Sequence, residues 1–150
     1  AQGSVNVGFA GILDRLETKR AIESDRTIAG VLDQAAKADA YLFTAGVCDE
    51  SSAHVENGYL SAGDVDELTR RGAVGDVLGR YVDADGNIVD PELDSRTLGL
   101  GLDQLRAAKV AIFVTAGQAK HDIARTVVRG GLCTTMVTDE DTARALLEEV

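Results

Sequence analysis

The sequence predicts an α/β fold, a mostly parallel sheet with flanking helices, from three observations. Lys109 to Thr115 (KVAIFVT) is a short apolar run rich in β-branched residues, too short for a buried helix, and reads as a strand buried on both faces. Ala116 and Gly117 break it, and Gln118 to Arg129 then carries Ile123, Val127 and Val128 at helical spacing, with Gly130 and Gly131 to end the helix in the left-handed region. Leu132 to Val137 gives a second buried strand. Two parallel strands joined by a crossover helix are the expected result. Thr138 or Asp139 caps the next helix, and Asp141, three residues after Thr138, completes a capping box.

The elements upstream follow in order. Ala1 to Gly11 holds Val5, Val7 and Phe9 in alternation, as a half-buried strand would. Ile12 to Ile22 places apolar residues at Ile12, Leu13, Leu16 and Ile22 between charges, an amphipathic helix. Ser24 or Asp25 caps a second helix, Arg26 to Ala38, with Ile28, Val31, Leu32 and Ala35 as its buried stripe. Ala40 to Ala45 (AYLFTA) is a buried strand with Gly46 at its carboxyl end, and the polar turn through Ser52 is long enough to rim a ligand site. A solvated loop is the commoner state of such a turn. Ser51 and Ser52 lack the G-x-S-x-G setting of a hydrolase nucleophile. Ser61 to Asp64 precedes a helix over Val65 to Arg71, stopped by Gly72. Tyr81 to Val89 alternates around Asp85-Gly86, a hairpin with a type I′ turn. Pro91 closes that excursion, Arg96 to Leu100 forms a short strand, and Leu102 to Ala108 a short helix.

Composition narrows the function classes. The 150 residues suit one domain able to bury a core, and hydrophobic residues at 45% with three Phe, three Tyr and no Trp make that core aliphatic. Fifteen basic residues against twenty-five acidic give a net charge of −10, which repels a phosphate backbone, so this segment is not expected to touch nucleic acid. Cys48 and Cys133 each lie in or beside an apolar run, as buried reduced thiols would, although sequence leaves a disulfide open. No stretch approaches the ~20 apolar residues of a membrane span, so a cytoplasmic protein is expected. The chain begins AQG without a methionine and is expected to be a fragment or a trimmed piece. His54 and His121 lack metal-site spacing, and the glycine of DADGN stands at the fourth rather than the sixth place of a calcium loop. No metal and no cofactor are expected. His121 is expected in solvent.

Two side chains stand out. A helix opening straight after a strand leaves the amides of Gly117, Gln118 and Ala119 without helical partners, pointing beyond the strand's carboxyl end. Lys120 sits in that first turn, where the helix dipole disfavours an ammonium unless an anion lies between it and the amides. A solvated surface lysine is the competing reading. Asp76, among small and apolar neighbours in Gly72 to Arg80, needs a partner if buried, and a sugar hydroxyl or a backbone amide would serve. A turn aspartate bonded to its own backbone fits equally.

Four signatures then occur in order: G-V-x-x-x-S-S (Gly46 to Ser52), G-Y-L-S (Gly58 to Ser61), G-A-V-G-D-V-L-G-R (Gly72 to Arg80) followed by D-x-D-G, and A-G-x-x-K (Ala116 to Lys120) with a terminal T-D-E-x-T-A (Thr138 to Ala143). Together they resemble the SorC family of bacterial sugar-responsive transcriptional regulators, from about Ile12 to the end. The resemblance implies an effector-binding domain with a Rossmann-like sheet related to ribose-5-phosphate isomerase and glucosamine-6-phosphate deaminase. It implies a phosphorylated sugar as effector, with Asp76 on sugar hydroxyls and Lys120 on its phosphate or oxygen atoms. The turns at Gly46-Val47 and Gly117-Gln118 would line the pocket, Gln118 replacing a family glycine. It further implies a homo-oligomer, dimer or tetramer, that meets operator DNA only through a helix-turn-helix domain not in this chain. The family's first effector-domain strand, with its Ser/Thr/Gly-rich loop, is also absent from it. The alternatives are a sugar-phosphate isomerase or deaminase, for which Asp76 is the only defensible base, and an interaction domain with a vestigial pocket.

Overall fold

The computed structural model describes residues 11–148. The strand expected around Val5, Val7 and Phe9 lies outside them. In chain order the elements are β1 (Gly11–Ile12), α1 (Leu16–Ser24), α2 (Arg26–Ala36), β2 (Tyr41–Phe43), β3 (Ala45–Val47), α3 (Ala53–Glu56), α4 (Ala62–Arg70), β4 (Gly75–Val77), β5 (Arg80–Val82), α5 (Pro91–Ser95), β6 (Thr97–Leu98), α6 (Leu102–Ala107), β7 (Ala111–Val114), a 3-10 turn (Gln118–Lys120), α7 (His121–Arg129), β8 (Thr135–Val137) and α8 (Glu140–Leu147).

The parallel core predicted around Lys109 to Val137 is present. β2, β7 and β8 lie side by side in that order, with Phe43 opposite Phe113 and Phe113 opposite Met136. α7 makes the crossover. Its end is a Schellman motif: Leu132 N–H donates to Val127 O (3.0 Å), Gly131 N–H to Val128 O (3.2 Å), and Gly131 takes φ 64°. Phe43 and Phe113 stack at 5.4 Å beneath Ile123, Ala124, Val127 and Leu132, all buried.

The sheet is less uniformly parallel than expected. β3, β4 and β5 form an antiparallel sheet, and β1 pairs antiparallel with β6. The expected strand Ala40 to Ala45 is in fact two: the chain leaves the parallel sheet after Phe43, passes through Thr44, and enters the antiparallel sheet at Ala45. Nor is β7 buried on both faces. Ala111 and Phe113 are covered by α7, whereas Val114 on the other face is 41% exposed, as are Leu42 and Val137 beside it at 73% and 54%.

Other local expectations shift for identifiable reasons. Asp25 caps α2 by accepting from Thr27 and Ile28 N–H, but the stripe Ile28, Val31, Leu32 and Ala35 is not buried; it lines an open apolar cavity of about 460 Å³ against Tyr41, Phe43 and Leu98. Asp139 rather than Thr138 caps α8, and the reciprocal partner is Thr142, whose hydroxyl donates to Asp139 Oδ2 at 2.8 Å. At Asp85-Gly86 only Gly86 has positive φ, so the turn is not type I′; Gly86 N–H closes it onto Asp83 O. The two-residue turn with both central residues at positive φ is Leu78-Gly79 (56° and 79°), between β4 and β5. Expected in solvent, His121 is half-buried, and its Nε2 has no hydrogen bond among the described residues. Both cysteines are free and partly buried, and burial pushes each thiol up, away from reactivity.

Arg80 fastens the remaining segment. It is 6% exposed, donates to Leu100 O (2.9 Å) and Gly99 O (3.1 Å), and pairs with Asp94. Arg80→Met leaves those half-buried acceptors without their donor, and should cost about 1–3 kcal/mol. Phe113→Ala should cost about 3–5 kcal/mol through lost burial and cavity formation. Urea unfolding measures both. Asp139 gives a pH signature. Its carboxylate is held at about 2 by the Thr142 N–H, then the Gly117 N–H and the Thr142 hydroxyl. The stabilisation is therefore complete above the unfolded value near ~4 and disappears as pH falls through about 2. Asp139→Ala should lower the melting temperature at pH 7 and flatten its decline in that acid window.

Candidate functional site

The step from β2 to β3 places Gly46 directly against Asp76. Gly46 pairs with Asp76 across the antiparallel ladder, and the carboxylate fills the space that a side chain at position 46 would occupy: a Cβ there would overlap Asp76 Oδ1. A glycine at 46 is what lets the acid fold down over the strand. Gly75 is equally constrained, since a Cβ would stand 2.8 Å from Ile123 Cγ1.

Asp76 is 7% exposed. Its Oδ2 accepts from Gly79 N–H at 2.8 Å, which ties the acid to the Leu78-Gly79 turn. Oδ1 is left facing His54, whose Nδ1 stands 3.8 Å away and 2.9 Å from the Tyr81 hydroxyl. Burial pushes the Asp76 carboxyl above the ordinary carboxylate range, opposed by His54, the Gly79 amide and Lys120. One oxygen thus serves the local turn, as a turn aspartate's would, and the side chain also lines the cavity described below.

Lys120 does not point into solvent. Its Nζ donates to Ala45 O at 2.8 Å, one residue from Gly46. An ammonium has three donors, so two remain after that bond. The side chains of Asp76, from β4, and Lys120, from the 3-10 turn, are distant in sequence and converge on residues 45–46 of β3.

They share a cavity of about 400 Å³ with Thr44, Gly46, Val47, the Ser51 to His54 segment and Leu78. Of the residues marked from sequence, Gly46, Val47, Asp76 and Lys120 line it; Gly117 and Gln118 are not among its walls. The Gly117 amide is not free as expected, because it donates to Asp139 Oδ2 at 2.8 Å. The 3-10 turn closes through Lys120 N–H onto Gly117 O and His121 N–H onto Gln118 O, so the Gln118 and Ala119 amides are not its donors. His54 and Leu78 were not legible as site residues: His54 carried no partner spacing, and nothing in V-L-G-R announces a leucine held at φ 56°. The apolar cavity beside α2 is larger, yet no ionisable group but Tyr41 lines it, so it lacks the polar groups that hold a sugar. Among the described residues no cluster suits a metal ion, and no helix is long and apolar enough to cross a membrane.

Comparison with known proteins agrees with this architecture. A family model described as "Putative sugar-binding domain" matches residues 7–148. The deoxyribonucleoside regulator of Bacillus subtilis (strain 168) is 30% identical over 139 residues, which are 93% of this chain and 44% of that protein. A domain of a "possible sugar-binding transcriptional regulator" from Arthrobacter aurescens TC1 superposes with a TM-score of 0.79 at 30% identity, covering 90% of this chain and 52% of that one. The full-length sorbitol operon regulator SorC from Klebsiella pneumoniae shares the fold, with a TM-score of 0.81 at 24% identity over 91% of this chain and 44% of that one. The chain thus spans about half the length of the proteins it matches, or less. With a family model spanning nearly all of it, this chain belongs to the family of putative sugar-binding domains, which it shares with the regulators named above.

Proposed function

We propose that this chain is the effector-binding and oligomerisation part of a cytoplasmic, sugar-responsive bacterial regulator, on a fold related to ribose-5-phosphate isomerase and glucosamine-6-phosphate deaminase. Its effector is a phosphorylated sugar, and its DNA-binding domain lies outside residues 1–150. The observation that carries the reading is that Asp76 and Lys120 line one cavity, the ammonium held there by Ala45 O and the carboxylate by Gly79 N–H. A hydroxyl fits between them, donating to the carboxylate and accepting from the ammonium. A phosphate oxygen only accepts and would meet the buried acid as a like charge. The sugar's hydroxyl end therefore belongs beside Asp76 and its anionic end toward Lys120 and the Gln118 turn. Binding there shifts the balance between DNA-competent and incompetent assemblies.

Calorimetry with a panel that includes ribose 5-phosphate and glucosamine 6-phosphate tests this. Lys120→Ala should weaken binding about 10- to 100-fold, the loss of one charge-assisted hydrogen bond of roughly 1.5–3 kcal/mol. Gly46→Ala should weaken it as well by displacing Asp76 Oδ1. No heat across the panel, or wild-type affinity in Lys120→Ala, would count against the sensor. Turnover of either sugar would favour the isomerase or deaminase alternative with Asp76 as base.

A further inference from the structure

Behind the Asp76 wall of the cavity lies a polar chain that effector binding by Asp76 and Lys120 leaves unused. His54 on α3 places Nδ1 between the Tyr81 hydroxyl at 2.9 Å and Asp76 Oδ1 at 3.8 Å. Tyr81 is 2% exposed, and burial, then Asp76, pushes its phenol well above the ordinary range, so it keeps its proton. Ser52 is 3% exposed and occupies the N-cap position of α3 without capping it. Its hydroxyl has no hydrogen bond, although it lies near enough to Tyr81 to ease that phenol's ionisation. A serine that forgoes a cap and is buried unpaired gives up stability on both counts.

The two states of the imidazole account for this arrangement. With Nδ1 unprotonated, the Tyr81 hydroxyl donates to it, and Ser52 Oγ is left over. With a proton on Nδ1, the imidazole donates to the Tyr81 oxygen, and the phenol hydrogen turns to Ser52 Oγ. Ser52 Oγ therefore gains a partner only in the state with a proton on Nδ1.

We propose that His54 is a positioning residue that couples effector binding to pH: held by Tyr81 against Asp76 Oδ1, it favours the ionised form of that acid, which is the form the effector's hydroxyl binds. This rests on the sensor reading above. The groups facing Asp76 are His54 from α3, Lys120 from the 3-10 turn, Tyr81 from β5 and Cys48 after β3, with Asp49 acting on Tyr81 and Cys48. His54 and Lys120 favour the carboxylate. Protonating Asp76 removes an acceptor, so affinity falls as pH drops through its titration, and removing His54 moves that fall to higher pH.

Two measurements on the whole chain test it. Carbon-13 NMR of the aspartate carboxyls needs no ligand: the Asp76 midpoint should lie above the ordinary carboxylate range and rise in His54→Gln, or in His54→Asn should the first variant not fold. An ordinary midpoint, or one unmoved in a folded His54 variant, overturns the proposal. Calorimetry with ribose 5-phosphate and glucosamine 6-phosphate as probes should show Kd rising about tenfold per pH unit below that midpoint. The limb should move to higher pH in His54→Gln and be absent in Asp76→Asn. Binding that is independent of pH in the wild type overturns the proposal while leaving the sensor reading intact. No binding of either probe at any pH counts against the sensor reading, and the NMR result then judges His54 alone.

Discussion

A buried carboxylate laid over a glycine is the constraint on which the rest of this structure depends. Asp76 occupies the side-chain space of Gly46, and its burial is tolerable only because each oxygen has a use. Oδ2 is satisfied by the Gly79 amide, which fixes the β4–β5 turn, and the positive φ of Leu78 and Gly79 gives that turn its tight two-residue form. Leu78 pays for this with a backbone conformation that costs a non-glycine residue about 1–2 kcal/mol. The strained leucine borders the cavity, where such conformations tend to be found.

Packing around this point explains how the site is presented. α7 covers the inner face of β7 and also rests on β3 and β4, so one helix braces both the parallel and the antiparallel sheet. Its crossover brings Lys120 to the Ala45 carbonyl, and the Asp139 link to Gly117 anchors the turn just before it. A cation and an acid 44 positions apart in sequence are thus held on one strand by main-chain bonds rather than by each other. Among the described residues no ion pair joins the two, and both line the same cavity.

The cavity gathers polar groups from separate elements of the chain. Its ionisable walls are an acid, an imidazole and a single ammonium, and the acid's partners hold its position. The phenol and serine behind the imidazole extend that polar set into the interior, where low polarity strengthens each contact and makes any missing partner costly.

By itself the sequence determined the elements whose signals are local. The run AIFV, the Gly130-Gly131 stop, a cap at Ser24 or Asp25 and the periodicity of Gln118 to Arg129 depend on neighbours within a few residues, and the parallel core follows from them. The ordered SorC motifs also marked Gly46, Val47, Asp76 and Lys120, which line one cavity. Tertiary structure alone decided where Ala40 to Val47 changes sheets, because that depends on which strand lies opposite, and β4 is about 30 residues away in sequence. It alone decided that the Gly117 amide belongs to Asp139, that the α2 stripe lines an open cavity, and that His54 stands between Tyr81 and Asp76. Periodicity and capping report on the backbone's near neighbours; a partner brought in from across the fold leaves no such trace in the string of residues.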